Sequence, residues 1–413
     1  MQPIPGHDIN ETRTHLLDFL AAAIAAVVPE SGVRERLERE KSAAPGFAVA
    51  AIGKAAGIMM QGALEALGDG VSDTLVITAP AYAGSVPEGV RFVAGNHPVP
   101  DASSLAAGAA LLDFLAAQPP EIELVFLISG GASAMVEALE PHVTPDQLQQ
   151  ATEWMLANGL DIRQTNLVRK CLSAIKGGKL LRHFDNAALV LLVSDVPGDD
   201  PADIGSGLLS PDPRISEVQS LQLPAWLQDV VRVPEIPAGR DNVRIEIIAS
   251  NGIAREAAAQ AAREAGFPVE VHADFVCGDT GEVAREIVRY LLDEAPPGMH
   301  VWGGETSVRL PQNPGTGGRN QQLALQVAHL IAGSDNCCFL SAGTDGIDGL
   351  SEDAGAIVDG GTIERGESEG LHVEDALARA DANPFLAASG DLIHLGATGT
   401  NVMDILLAWK SDA

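Results

Sequence analysis

Positive charge is what this 413-residue chain has least of. Its 26 lysines and arginines face 56 acidic residues, for a formal net charge of −30. Nucleic acid and anionic membranes are recognised by clustered positive charge, so this balance argues against both as partners. Lysine is the scarcer cation: Lys41, Lys54, Lys170, Lys176, Lys179 and Lys410 are the only six. Cysteine is confined to Cys171, Cys277, Cys337 and Cys338. No CxxC pair exists, so no zinc spacing is present, and the four read as free thiols of a reducing cytoplasm. Ten histidines are scattered without an HExxH. The apolar run nearest the N-terminus, Phe19 to Val28, is too short to span a bilayer. Asp8 and Glu11 precede it where a secretory signal would be basic. Neither GxxxxGK[ST] nor a GxGxxG placed after a strand occurs, so two common phosphate-binding fingerprints are missing.

What is present is an alternation of buried strands and helices. The length predicts two domains. Leu124 to Ile128 is a compact apolar run, read as a strand buried on both faces, and Ser129-Gly130-Gly131 ends it. Ser133 stands where a helix N-cap would stand, so backbone N–H groups and a helix start would converge on an anion there. The same stretch also reads as an ordinary tight turn between strand and helix. FAVAAI (47–52) and the apolar run 187–193 are further buried strands. Their spacing from helical segments predicts a doubly wound parallel sheet. A proline-rich stretch at 224–237 sets the predicted boundary, giving domains at 1–235 and 240–413. In the second half strands are expected at 243–249, 269–276, 299–302, 306–310 and 337–342, with a helix at 320–331. A last helix is expected after Gly396-Ala397-Thr398-Gly399-Thr400-Asn401.

The candidate chemistry lies at strand ends, where ligands bind in open α/β sheets. Gly53-Lys54 places a cation at a helix start, although it could equally be a lysine facing solvent. Arg169, Lys170, Lys176 and Lys179 surround the Gly177-Gly178 turn, or line a basic helix face. Asp195 closes a buried strand, Glu305 follows Gly303-Gly304, and Asp345 and Asp348 sit in a glycine-punctuated turn. Separate strand-end carboxylates suit Mg²⁺ with a nucleotide. Asp348 reads better as a turn former. Arg319, after Gly317-Gly318 at a helix start, opposes the helix dipole, so an anion rather than stability is expected to account for it.

Together these segments resemble the glycerate 2-kinase family, a two-domain class with a MOFRL C-terminal domain, some of whose members are labelled hydroxypyruvate reductases. The resemblance spans nearly the whole chain, through IGKAA (52–56), NHPVPD (96–101), LISGGASAM (127–135), NLVRK (166–170), IKGGKL (175–180), SDVPGDDPADIGSG (194–207), GGET (303–306), GGRNQ (317–321), SAGTDGIDG (341–349) and TGTNV (398–402). It implies a Rossmann-like α/β domain, then a smaller α/β domain, with the active site in a cleft between them. It also implies ATP- and Mg²⁺-dependent phosphorylation of the 2-hydroxyl of D-glycerate. Lys54, Arg319 and Asp195 match the catalytic positions, and Asp195, Glu305 and Asp345 the metal-binding acids. Ser129, Gly130, Gly131, Ser133, Lys176, Gly177 and Gly178 are the expected nucleotide-binding residues. A cytoplasmic enzyme acting on small molecules follows, with a homodimer as one admissible assembly. Cys171, Leu208, Leu209 and Ala397 depart from the family pattern, which leaves open a related small 2-hydroxy acid as substrate. An NAD(P)H-dependent hydroxypyruvate reductase is the alternative enzyme, and a non-catalytic anion-binding module the alternative of another class.

Overall fold

The computed structural model describes residues 8–40 and 45–411. The chain divides into two units. Pro29–Ala249 is the first; the second is Ser250 onward, together with the described residues up to Val28.

The first unit is built on six parallel strands: β1 (Phe47–Ile52), β2 (Val71–Thr78), β3 (Arg91–Ala94), β4 (Glu123–Ile128), β5 (Ala188–Val193) and β6 (Val243–Ala249). Their order is β3-β2-β1-β4-β5-β6. Every residue of β1 and β5 is buried, as continuous apolar runs in a sheet covered on both faces should be. Alternate residues Ala48, Ala50 and Ile52 of β1 and Leu124, Phe126 and Ile128 of β4 enter one core layer, following the two-residue strand period. The strand order reverses between β1 and β4. They end level, with Ile52 beside Ile128, so the loops that follow them open at the topological switch point of the sheet.

Two expectations about the boundary are corrected here. The segment at 243–249 is the sixth strand of the first sheet, paired with β5, rather than the opening of the second domain. The proline-rich stretch before it carries a helix, Ala225–Val230, whose Leu227 and Val230 join a core with Leu148 and Leu172. Proline there marks irregular backbone within one unit, not a gap between two cores. The N-terminal helix Ile9–Ala25, expected in the first domain, groups with the second unit, where Phe19 meets Phe267 edge-on at 5.7 Å.

The second unit is a mixed sheet of β7 (Val269–Val271), β8 (Val276–Asp279), β9 (Gly298–Ser307), β10 (Cys337–Gly343), β11 (Gly355–Asp359), β12 (Leu392–Ile393) and β13 (Asp404–Lys410). The order is β12-β11-β10-β13-β9-β7, with β8 also on β9. The final apolar segment is therefore a central strand, antiparallel to both β10 and β9, and not a helix. Short apolar runs do not reveal their period; burial of Asp404 to Trp409 on both faces is what selects strand. β9 is one long strand where two were expected, and β7 and β8 are two where one was expected. Among the described residues no single helix is long and apolar enough to cross a membrane.

Candidate active site

In the first unit the loops after β1 and β4 are stitched together by Ser129. Its N–H donates to the Ile52 carbonyl at 3.0 Å and its hydroxyl accepts the Ala55 N–H at 3.0 Å. The Lys54 N–H donates to the Gly130 carbonyl at 2.9 Å. Ser129 is 2% exposed, so its hydroxyl serves the scaffold rather than a ligand. Gly130 is required because the Asp195 carboxylate, arriving from the end of β5, occupies the place of a Cβ. Gly131 has φ +84°, and a Cβ there would sit 3.1 Å from His97 Cδ2 and 3.3 Å from Lys54 Cγ. The turn thus gathers Lys54, His97 and Asp195 from three separate strand ends. Ser133 is not the N-cap. It lies inside a single-turn helix, Ala132–Met135, capped by Gly131, and its hydroxyl shares a 2.6 Å hydrogen bond with Ser206. One turn sums few peptide dipoles, so the anion site expected from a helix end is weak here.

Arg169, half-buried on the helix Ile162–Leu172, adds a second cation beside Lys54. Its Nε has no hydrogen-bond partner, and burial holds its pKa below the ordinary arginine value. Burial first, then the positive charges of Lys54 and Arg169, lower the His97 pKa, so the imidazole is neutral at neutral pH. Among the described residues no side-chain ion pair within 4.0 Å forms at Lys54, His97 or Arg169, although the Glu137 charge acts on Arg169 from further off. In a chain with twice as many acids as bases, Lys54 and Arg169 are thus two cations brought together at one turn, with Asp195 at Gly130 and the Glu137 charge acting on Arg169. The sequence placed Arg169 with the wrong company and passed over His97 as a loop residue.

The other lysines are not there. Lys170, Lys176 and Lys179 are 1%, 0% and 0% exposed and pair with Asp212, Glu137 and Glu140. Gly177 lies against Ile215 and Gly178 against Pro211. Lys176 has no accessible surface, so it meets no nucleotide in this conformation; the Gly177-Gly178 turn is an interior feature. Its acidic partners stand some 40 residues away in sequence, which is why spacing alone suggested a surface turn. Truncating one partner strands the other charge in the core. Lys176→Ala is expected to lose about 3–5 kcal/mol of stability, read by urea denaturation; an unchanged midpoint would refute the structural role.

In the second unit, a cavity of about 520 Å³ is lined by Glu305, Gly318, Arg319, Asp345 and Asn401 among others. Arg319 opens the helix Arg319–Leu330 and forks onto Asp404, with Nε–Oδ2 at 2.6 Å and Nη2–Oδ1 at 3.0 Å, while Nη1 reaches Glu305 at 2.8 Å. Arg319 is therefore not an unbalanced cation. Its unfavourable place at a helix start is offset by an acid that is 2% exposed. Burial opposes the guanidinium charge, but the Asp404 hydrogen bonds and charge raise its pKa above the ordinary value. The dipole itself is answered by Asp348, whose carboxylate accepts the N–H groups of Asn320 and Gln321 at 3.1 and 2.8 Å. Asp348 is thus a cap for a distant helix rather than a turn former, and burial pushes its pKa up to about 6. Asp345 makes the turn bond instead, accepting the Ile347 N–H at 3.2 Å. Its second oxygen accepts from Asn401 at 3.3 Å. Glu305 is exposed and Asp345 half-buried, and both face the cavity.

Known proteins resemble the chain along its whole length. The model of a domain of unknown function, DUF4147, matches residues 15–226, and that of the MOFRL family matches residues 298–404. The chain is 32% identical to the D-glycerate 2-kinase of Thermotoga maritima, over 95% of this chain and 96% of that one. It is 33% identical to the glycerate 2-kinase of Pyrococcus horikoshii, over 87% and 86%. The chain belongs to the glycerate 2-kinase family. The solved structure of a glycerate kinase from Thermotoga maritima superposes with a TM-score of 0.87 at 29% identity, covering 97% of this chain and all of the other. Members of the glycerate 2-kinase family also carry a second label. An Agrobacterium vitis protein, 34% identical over 93% of this chain and 91% of its own, is named a putative hydroxypyruvate reductase.

Three of the four departures from the glycerate 2-kinase pattern fall in the core. Cys171, Leu208 and Leu209 are 0%, 1% and 3% exposed, and burial pushes the Cys171 thiol up to about 12. Such positions tune packing rather than the surface a substrate meets. Ala397 is exposed.

Proposed function

We propose that the chain phosphorylates the 2-hydroxyl of D-glycerate at the expense of ATP, giving 2-phosphoglycerate and ADP with Mg²⁺ as cofactor. The observation that carries this reading is the pair of cations Lys54 and Arg169, in no ion pair among the described residues, whose charges both act on His97 at the Gly130-Gly131 turn of a chain with net charge −30. Phosphoryl transfer is catalysed mainly by positioning and charge neutralisation, and both substrates are anions. Lys54 and Arg169 hold an anionic group at the switch point, and Asp195 beside Gly130 accepts the proton of the attacking hydroxyl. Arg319, already oriented by Asp404, turns its Nη1 edge toward the cavity of the second unit, where it can grip an anion in place of Glu305. The donor set there fits Mg²⁺, which takes one or two carboxylates with phosphate oxygens and water. Glu305 and Asp345 would hold the ion, which would neutralise phosphate charge when bound. Asp348 and Asp404 would not, because their oxygens are committed to Asn320, Gln321 and Arg319.

The reductase reading meets a specific obstacle. In a dinucleotide fold the first βα turn carries glycines that open room for a pyrophosphate. Here Gly53, φ +124°, is packed against Ser129, so its missing side chain serves loop-to-loop contact. Incubation with ATP, Mg²⁺ and D-glycerate should produce ADP and 2-phosphoglycerate, resolved by phosphorus NMR. Formation of the 3-phospho isomer alone would overturn the regiochemistry. NADH oxidation by hydroxypyruvate without any ATP consumption would overturn the kinase.

A further inference from the structure

A second constellation of ligating groups lies in the second unit, on residues that the proposed kinase chemistry does not use. β7 runs parallel to β9 with Glu270 opposite His300, and the ladder continues as the His272 N–H donates to the Val301 carbonyl at 2.9 Å. Because side chains alternate along a strand, Glu270 and His272 share one face with His300 and Trp302. Histidines 28 residues apart carry no recognisable metal spacing, so only parallel pairing reveals them as neighbours.

The geometry there is that of a ligand set. His300 is 1% exposed, and its Nε2 lies 2.9 Å from the Pro296 carbonyl. A carbonyl only accepts, so the Nε2 proton points to it and Nδ1 presents a bare lone pair. That Nδ1 lies 3.3 Å from His272 Nε2 and 3.6 Å from Glu270 Oε2. A tetrahedral ion with bonds of about 2.0–2.1 Å separates its ligand atoms by about 3.3 Å, so the spacing needs little adjustment. The supporting contacts match those around bound metals, where a ligating histidine gives its other N–H to a carbonyl and a ligating carboxylate is itself hydrogen-bonded. Here Pro296 takes the first role, and the Tyr290 hydroxyl donates to Glu270 Oε2 at 2.9 Å in the second. His272 is further fixed by stacking on Trp302, centroids 4.2 Å apart. His272, Tyr290 and Trp302 also line a cavity of about 340 Å³, which gives a fourth ligand room to enter.

We propose that Glu270, His272 and His300 form a divalent transition-metal site, best suited to Zn²⁺, that ties β7 to β9. The donor set distinguishes it from the Mg²⁺ site, because Mg²⁺ prefers oxygen ligands whereas imidazole suits zinc. Chelator-treated full-length protein should take up one equivalent of Zn²⁺ in calorimetry with millimolar Mg²⁺ present, and should melt at higher temperature with Zn²⁺ than without. Co²⁺ in its place should give visible d–d absorption of tetrahedral intensity. Glu270→Gln, at an exposed position, and His272→Ala, at a half-buried one, should each weaken uptake at least about 10–100-fold while D-glycerate phosphorylation is retained. They stand in for His300→Ala, which removes a core side chain. Absence of stoichiometric uptake, or uptake unchanged in both variants, would show an ordinary His–His hydrogen bond and overturn the site.

Discussion

Arg319→Ala should damage both folding and catalysis, and Arg319→Lys should recover the first more than the second. Asp404 is 2% exposed and holds two of the guanidinium's nitrogens, so removing Arg319 leaves a carboxylate stranded between β10 and β9. Breaking such a pair costs about 3–5 kcal/mol. Loss of a preorganised donor that meets transferring charge costs about 10²–10³ in kcat. Lysine restores a charge for Asp404 but not the planar fork, which alone can serve Asp404 with two nitrogens and still offer a third outward. The double variant Arg319→Ala/Asp404→Asn separates the two roles. It removes the stranded charge, so much of the melting temperature should return while activity stays low. A single Arg319→Ala variant with unchanged melting temperature would contradict the buried pair. Recovery of activity in the double variant would show that Arg319 acts only through folding.

That expectation reverses what the sequence suggested about stability, and the reason is physical. A cation at a helix start looks unfavourable when only its own helix is considered. Its compensation comes from Asp404, 85 residues on, at the head of a strand that reads as a helix. The same limit explains Lys176, whose partner Glu137 is invisible to spacing, and Asp348, which resembles a turn residue until the helix it caps is placed beside it. Local patterns were legible. The apolar runs of β1, β4 and β5 and the Gly-Lys, Ser-Gly-Gly and Ser-Asp segments that end them specify strand, turn and polar side chain within ten residues. Parallel order also follows from intervening helices, although the membership of β6 does not, since its neighbour β5 is reached only across the proline-rich crossover. What the sequence withholds is pairing at long range: His97 over Gly131, Arg169 beside it, and Glu270 opposite His300.

Lys54 should behave in the opposite way to Arg319. No described residue forms an ion pair with it, and its stem lies against the Gly131 turn. Lys54→Met keeps that stem and deletes the charge, so packing is preserved while the electrostatics change. Activity should fall by about 10²–10³ in kcat, which corresponds to roughly 2.7–4 kcal/mol of lost transition-state stabilisation. Stability should hold or rise slightly, because Lys54 has no ion pair among the described residues to lose and its charge opposes that of a protonated His97. The sign of that repulsion is measurable. Lys54 lowers the His97 pKa, so histidine ring resonances in the Lys54→Met variant should show His97 titrating at higher pH than in the unmodified protein. Burial also depresses that pKa and remains, so the recovery should be partial. Arg169→Met should move His97 in the same direction, with a cost to activity of its own. A structural role for Lys54 predicts another pattern: a lower melting temperature, near-normal kcat per folded molecule and an unmoved His97. That outcome would remove Lys54 from the reaction and leave the proposed anion site without its principal charge.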